Sequence, residues 1–162
     1  MKSAFNFLRP AGDGPRIQEL KKIGLFKQLS TRELREVDEL LHERVYQKDE
    51  IIFDEGDIGL GLFMVVTGRV KLSSSHAPLQ QLAPEFGSGD FFGEMALFDD
   101  APRSARVTAV ETAQVVALFR REFFSLMERN RSIGTKILLE LARTVCRRSR
   151  LLLSGQKHLP LV

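Results

Sequence analysis

Gly87-Ser88-Gly89-Asp90-Phe91-Phe92-Gly93-Glu94-Met95-Ala96-Leu97, continued by Phe98-Asp99-Asp100-Ala101-Pro102-Arg103-Ser104-Ala105, is the stretch from which this chain can be read. Gly93 stands where a strand or loop turns into a short helix. A helix start there presents free backbone N–H groups and the positive end of a dipole, a ready anion site. Nine residues beyond Glu94 comes Arg103, a fork of N–H donors suited to bidentate phosphate recognition. Ser104 and Ala105 follow, a hydroxyl and a small residue that let the backbone come close to a ligand. Glu94 repels a phosphate. Its place beside an anion site makes sense if the ligand also carries a hydroxyl that can donate to the carboxylate, as a ribose 2′-OH does. An anionic, ribose-bearing small molecule satisfies all three demands.

On either side of this stretch the chain has the composition of short strands, at residues 45–46, 51–53, 62–66, 70–72, 107–110 and 115–119. Turn residues separate them, notably Gly56-Asp57, Thr67-Gly68 and Gly87-Ser88-Gly89-Asp90. Short strands punctuated by glycine predict a sandwich or small barrel, with Gly68 at a hairpin. Upstream, Ser30 and Glu33 form a capping box, and Leu34, Val37, Leu40 and Leu41 predict an amphipathic helix of about three turns. Downstream, Phe123, Phe124 and Met127 mark a short helix. Asn130 then caps a longer one running to about Leu153, with an apolar stripe of Leu138, Val145 and Leu152 beside Leu141, Ala142 and Ser149. Cys146 falls on that stripe and reads as a buried small hydrophobe. Residues 1–16, with Pro10, Gly12, Gly14 and Pro15, read as a flexible arm, 17–154 as one domain and 155–162 as a tail.

Composition narrows the function classes. With 162 residues, 43% of them hydrophobic and 28% charged, the chain can bury one core. A net charge of +3 is too mild to announce a nucleic-acid binder. A single cysteine excludes an internal disulfide framework and fits a reducing compartment. No apolar run approaches the roughly 20 residues of a membrane span, so a soluble, cytoplasmic protein is expected. His42, His76 and His158 are scattered without metal-ligand spacing, and neither a nucleophile elbow nor a phosphate loop is present. A binding protein without metal or cofactor is expected, rather than an enzyme.

The segment Phe92-Gly93-Glu94-Met95-Ala96-Leu97 followed by Pro102-Arg103-Ser104-Ala105 resembles the phosphate-binding cassette of the cyclic-nucleotide-binding domains. Gly56, Gly68 and Gly89-Asp90 look like that family's turn glycines, and the resemblance runs from about Leu25 to Leu153. It implies an α+β fold: an eight-stranded antiparallel β-roll, jelly-roll-like, flanked by N-terminal and C-terminal helices. It also implies a cyclic AMP or cyclic GMP ligand, with Glu94 on the ribose 2′-OH and Arg103 on the cyclic phosphate. Phe92, Gly93, Met95, Ala96, Ser104 and Ala105 would complete the cradle. Counting along the last helix sets Arg148 and Ser149 near the base.

Only nine residues follow Leu153, so no helix-turn-helix fits and DNA binding is not expected. The resemblance therefore suggests a stand-alone bacterial receptor, with cyclic AMP favoured, that signals to an unidentified effector protein by moving its last helix. A homodimer through that helix is a further expectation. Two alternatives stay open. One is an interaction module of this fold that binds no nucleotide. The other is a nucleic-acid-associated protein using Arg143, Arg147, Arg148 and Arg150, a group that reads first as a solvated basic face.

Overall fold

A computed structural model describes residues 14–76, 80 and 83–154. The helices that open the described residues are α1 (Pro15–Lys21) and α2 (Thr31–Asp38), with a 3₁₀ turn at Gly24–Phe26 between them. Eight strands follow: β1 (His42–Tyr46), β2 (Ile51–Phe53), β3 (Gly61–Thr67), β4 (Val70–Ser73), β5 (Glu85–Phe86), β6 (Phe91–Phe92), β7 (Arg106–Ala109) and β8 (Ala113–Phe119). A second 3₁₀ turn, Glu94–Leu97, separates β6 from β7, and α3 (Arg120–Arg129) and α4 (Arg131–Ser154) close the described chain.

The strands form two four-stranded antiparallel sheets, ordered β1-β8-β3-β6 and β2-β7-β4-β5. The expected α+β, jelly-roll-like architecture is therefore the one observed. Side-chain alternation explains how the layers stack. In β3 and β8, Leu62, Met64, Val66, Val116 and Leu118 join the helices in one apolar core. Val65, Ala113 and Val115, on the opposite face of the same strands, join Val70, Phe86, Phe92 and Val107 between the sheets. The β1-β8-β3-β6 sheet is thus covered on both faces at β3 and β8, and these two strands read as almost unbroken apolar runs. Burying each large side chain stabilises by about 1.5–3 kcal/mol. Gly68 makes the β3–β4 hairpin at φ 80°, where a Cβ would collide with the Thr112 carbonyl.

The capping box forms as expected: Glu33 N–H donates to Ser30 Oγ at 3.3 Å, and Ser30 N–H donates to Glu33 Oε2 at 2.8 Å. The helix it opens has eight residues, about two turns rather than three. Leu40 and Leu41 donate to the carbonyls of Val37 and Asp38, a tightening that ends the helix and drops Leu41 into the core before β1. Asn130 caps α4, its Oδ1 accepting from Ile133 N–H at 3.4 Å.

The stripe expected on α4 is displaced. Ile133, Ile137 and Leu141 are buried, together with Glu140 and Thr144. Val145 is 39% exposed, and Cys146 is exposed rather than buried. Polar residues in the seam mask it in the sequence: Glu140 tolerates burial because Lys27, Arg143 and Gln28 surround its carboxylate at 2.8, 2.6 and 2.5 Å. Burial pushes the Glu140 carboxyl up, but Lys27 and Arg143 outweigh it and hold it below its ordinary value. The environment of Leu152 lies outside the described side chains, as do residues 1–13 of the expected arm and the whole expected tail. Pro15 and Arg16, assigned to the arm in the sequence, belong to α1.

Candidate functional site

Phe92 ends β6, paired with Phe63 of β3, and the chain then reverses through Gly93. Gly93 sits at φ 73°, and a Cβ there would lie 2.6 Å from Arg103 Nη1. Only glycine allows both the turn and the close approach of the guanidinium. Glu94, Met95, Ala96 and Leu97 form the 3₁₀ turn. The far end of the segment is pinned to the 54–58 turn: Arg103 N–H donates to the Asp57 carbonyl at 2.8 Å, and Gly56 N–H to the Arg103 carbonyl at 2.9 Å. The turn before β3 thereby fixes where Arg103 begins.

The Arg103 side chain runs back beneath the 3₁₀ turn. Its Nη1 donates to the Gly93 carbonyl at 2.9 Å and its Nη2 to the Gly61 carbonyl at 2.8 Å. The guanidinium carbon lies 4.1 Å from the centre of the Phe53 ring, a cation–π contact. Arg103 is only 8% exposed, and its buried Nε has no partner among the described residues. Burial pulls the guanidinium below its ordinary value, with Asp57 and Glu94 pulling partly back. It still carries its charge at neutral pH. No carboxylate among the described residues forms an ion pair with it.

Glu94 is equally buried, at 9% exposure. Its Oε1 accepts from Arg148 Nη1 at 2.8 Å, and Arg148 Nη2 donates to the Phe91 carbonyl at 2.6 Å. Glu94 and Arg103 do not pair with each other but have separate partners. Near them, burial pushes the Asp90 carboxyl up, although the Gly87 N–H bonded to it and the Arg148 charge pull the other way.

One cavity of about 250 Å³ opens here. All the residues singled out in the sequence line it: Phe92, Gly93, Glu94, Met95, Ala96, Arg103, Ser104, Ala105, Arg148 and Ser149. The Ser104 hydroxyl makes no hydrogen bond among the described residues, while its carbonyl accepts from Ser74 Oγ at 3.0 Å. Sequence reasoning missed the rest of the wall, chiefly Phe53, Leu72, Phe86 and Val145. Phe53 and Phe86 each lie against Phe92, at 5.9 and 5.5 Å between ring centres, so the aromatic wall is continuous. Strands 51–53 and 62–66 hold one phenylalanine each, Phe53 and Phe63, and nothing local says that Phe53 lies under Arg103. An apolar cavity lined by the buried, carboxylate-free cation of Arg103 and by the buried carboxylate of Glu94 can hold an anion that also carries hydroxyls.

Residues 43–130 match the family model of the cyclic nucleotide-binding domain. The cyclic AMP receptor protein of Thermus thermophilus is 34% identical over 125 residues, which are 76% of this chain and 58% of that protein. A cyclic nucleotide-gated potassium channel of Rhizobium etli is 32% identical over 120 residues, 74% of this chain and 32% of the channel. The chain thus spans little more than half of the first and about a third of the second. The crystal structure of a cyclic nucleotide-binding domain from Methylobacillus flagellatus matches with a TM-score of 0.78 at 26% identity, over 91% of this chain and 87% of that one. No helix of the described residues is long and apolar enough to cross a membrane.

Proposed function

This chain belongs to the cyclic nucleotide-binding domain family, and on that premise we propose that it is a regulatory receptor for a 3′,5′-cyclic purine nucleotide, cyclic AMP first. The observation that carries the reading is Arg103: a guanidinium 8% exposed, without an ion-pair partner among the described residues, on the wall of an apolar cavity. An unpaired buried charge is costly, and an anion in the cavity offsets that cost. The cyclic phosphate takes that place. The ribose 2′-OH donates to Glu94, and donors around Gly93, Ser104 and Ala105 complete the phosphate cradle. Phe92, Met95 and Ala96 wall the sugar side, and the base lies towards Arg148 and Ser149. The name of the Thermus thermophilus relative supports cyclic AMP over cyclic GMP.

Signalling runs through α4. Arg148 joins that helix to Glu94, the group assigned to the ribose, so occupancy of the cavity and the position of α4 bear on the same carboxylate. A ligand with different affinity for the two positions of α4 shifts the balance between them. An effector protein that reads α4 completes the pathway. Calorimetric titration with cyclic AMP and cyclic GMP tests the receptor. Saturable one-to-one binding, at least tenfold tighter for cyclic AMP and lost in Arg103→Ala, is expected. Absence of heat with both nucleotides at millimolar concentration overturns the receptor reading, and a tenfold preference for cyclic GMP overturns the choice of base.

A further inference from the structure

The outer side of α4 carries a second surface, which shares no residue with the cavity. Leu139, Ala142 and Cys146 form the floor of a groove of about 500 Å³, and Leu139 is 46% exposed. Lys27, Arg143, Arg147 and Arg150 form its rim. None of the residues lining it is acidic. Of the four cations, Lys27 and Arg143 share the single buried carboxylate of Glu140 beneath, and Arg147 donates to the Thr144 hydroxyl at 3.1 Å. Four positive charges against one negative leave the rim strongly positive.

The spacing says what shape fits. Leu139, Ala142 or Arg143, Cys146 and Arg150 recur every three to four residues, so they line one face of the helix along about 16 Å. Small Ala142 and Cys146 in the middle let another helix approach closely, and the arginines are placed to meet carboxylates at its edge. A second copy of this chain packed face to face would set the same arginines against each other, since a two-fold interface pairs a patch with itself. A nucleic-acid backbone could engage the cations of the rim but would leave the apolar floor of Leu139, Ala142 and Cys146 uncovered.

We infer that this groove docks an acidic amphipathic helix of about three turns from a partner protein, its apolar stripe on Leu139 and Cys146 and its carboxylates on Arg143, Arg147 and Arg150. The inference stands on this face alone and needs no nucleotide in the cavity. Helix-in-groove recognition reads apolar anchors at helical spacing, and matching charge at the edge adds specificity.

A synthetic helical peptide with a leucine stripe flanked by glutamates is the probe, measured by fluorescence anisotropy against the full chain. Binding is expected to weaken at least tenfold in Arg147→Glu/Arg150→Glu and severalfold in Leu139→Ala. A peptide with lysines replacing the glutamates should bind the double variant and not the unaltered protein. Circular dichroism of both variants establishes that they fold. Equal binding by the double variant, or no recovery with the lysine peptide, overturns the inference. So does tighter binding of a duplex oligonucleotide than of the acidic peptide. Self-association in sedimentation that the same substitutions abolish would assign the face to a second copy instead.

Discussion

Arg148 reaches from α4 to Glu94, 54 residues away in the chain, and closes the gap with a 2.8 Å bond between Nη1 and Oε1. Its other terminal nitrogen holds the Phe91 carbonyl, and its guanidinium carbon lies 4.8 Å from the centre of the Phe91 ring. Both side chains are largely shielded from water, at 16% and 11% exposure. One arginine thus fastens the C-terminal half of α4 to the entry and the first residue of the 3₁₀ turn. Nearer its start, α4 is held by Ile133, Ile137 and Leu141 in the core. The two halves of the helix are therefore secured by different physics.

Substituting Arg148 should release the second half alone. A hydrogen bond to a charged group contributes about 1.5–3 kcal/mol, so Arg148→Ala should cost about that much local stability. Hydrogen exchange should speed up from Val145 to the end of α4 while Ile133 to Leu141 stays protected. Uniform acceleration along the whole helix would show that the apolar seam, not Arg148, sets the helix position.

Nucleotide should stabilise the protein by linkage. Ligand at about 100 times its dissociation constant, binding only the folded state, adds about 2.7 kcal/mol. At roughly 2–4 °C per kcal/mol for a chain of this size, the melting temperature should rise by about 5–11 °C. Arg103→Lys keeps the charge but loses the planar fork that holds Gly93 and Gly61, so it should erase most of that rise. A lysine variant with the full shift would mean that charge alone serves and the fork does not matter.

The contrast between these residues and the rest of the site explains what the sequence could reveal. Gly93, Glu94 and Arg103 are close in the chain, and each needs a special residue type: left-handed backbone, carboxylate, guanidinium. Their spacing was therefore readable. Phe53 beneath Arg103 and Arg148 against Glu94 are brought in by sheet pairing and helix packing, which leave no local mark. Strands β5 and β6 have two residues each, too few for alternation to register. On α4 the buried seam includes Glu140 and Thr144, so the visible leucines pointed to a neighbouring face and Cys146 was misread as buried. Polar residues that are buried because they are paired defeat a hydrophobicity pattern.

Glu94 separates a ribose role from a general one. If its carboxylate accepts from the 2′-OH, the unaltered protein should prefer cyclic AMP to its 2′-deoxy analogue, and Glu94→Ala should abolish that preference. Affinity for the deoxy analogue should change much less than affinity for the parent. Equal losses for both ligands would remove the ribose assignment and leave Glu94 as the anchor of Arg148.

Acid should act on the start of α2. Hydrogen bonds from Lys136, at 2.7 Å, and from the Ser30 N–H hold the Glu33 carboxyl at about 2 in the folded protein, below its ordinary 4.5. A carboxyl depressed on folding contributes stability that is complete above its unfolded value and is lost as pH falls through the folded one. The contribution of Glu33 should therefore be full at pH 6 and disappear between about pH 4.5 and pH 2. Glu33→Gln should be less stable than the unaltered protein at pH 6, and the difference should narrow steadily as the pH is lowered to 2. Because Lys136 lies on α4, the same titration loosens the contact between the capping box and that helix. Chemical denaturation of both proteins at pH 6, 4 and 2 measures the difference directly, and a gap that stays constant over this range would show that the Lys136–Glu33 bond contributes nothing to stability.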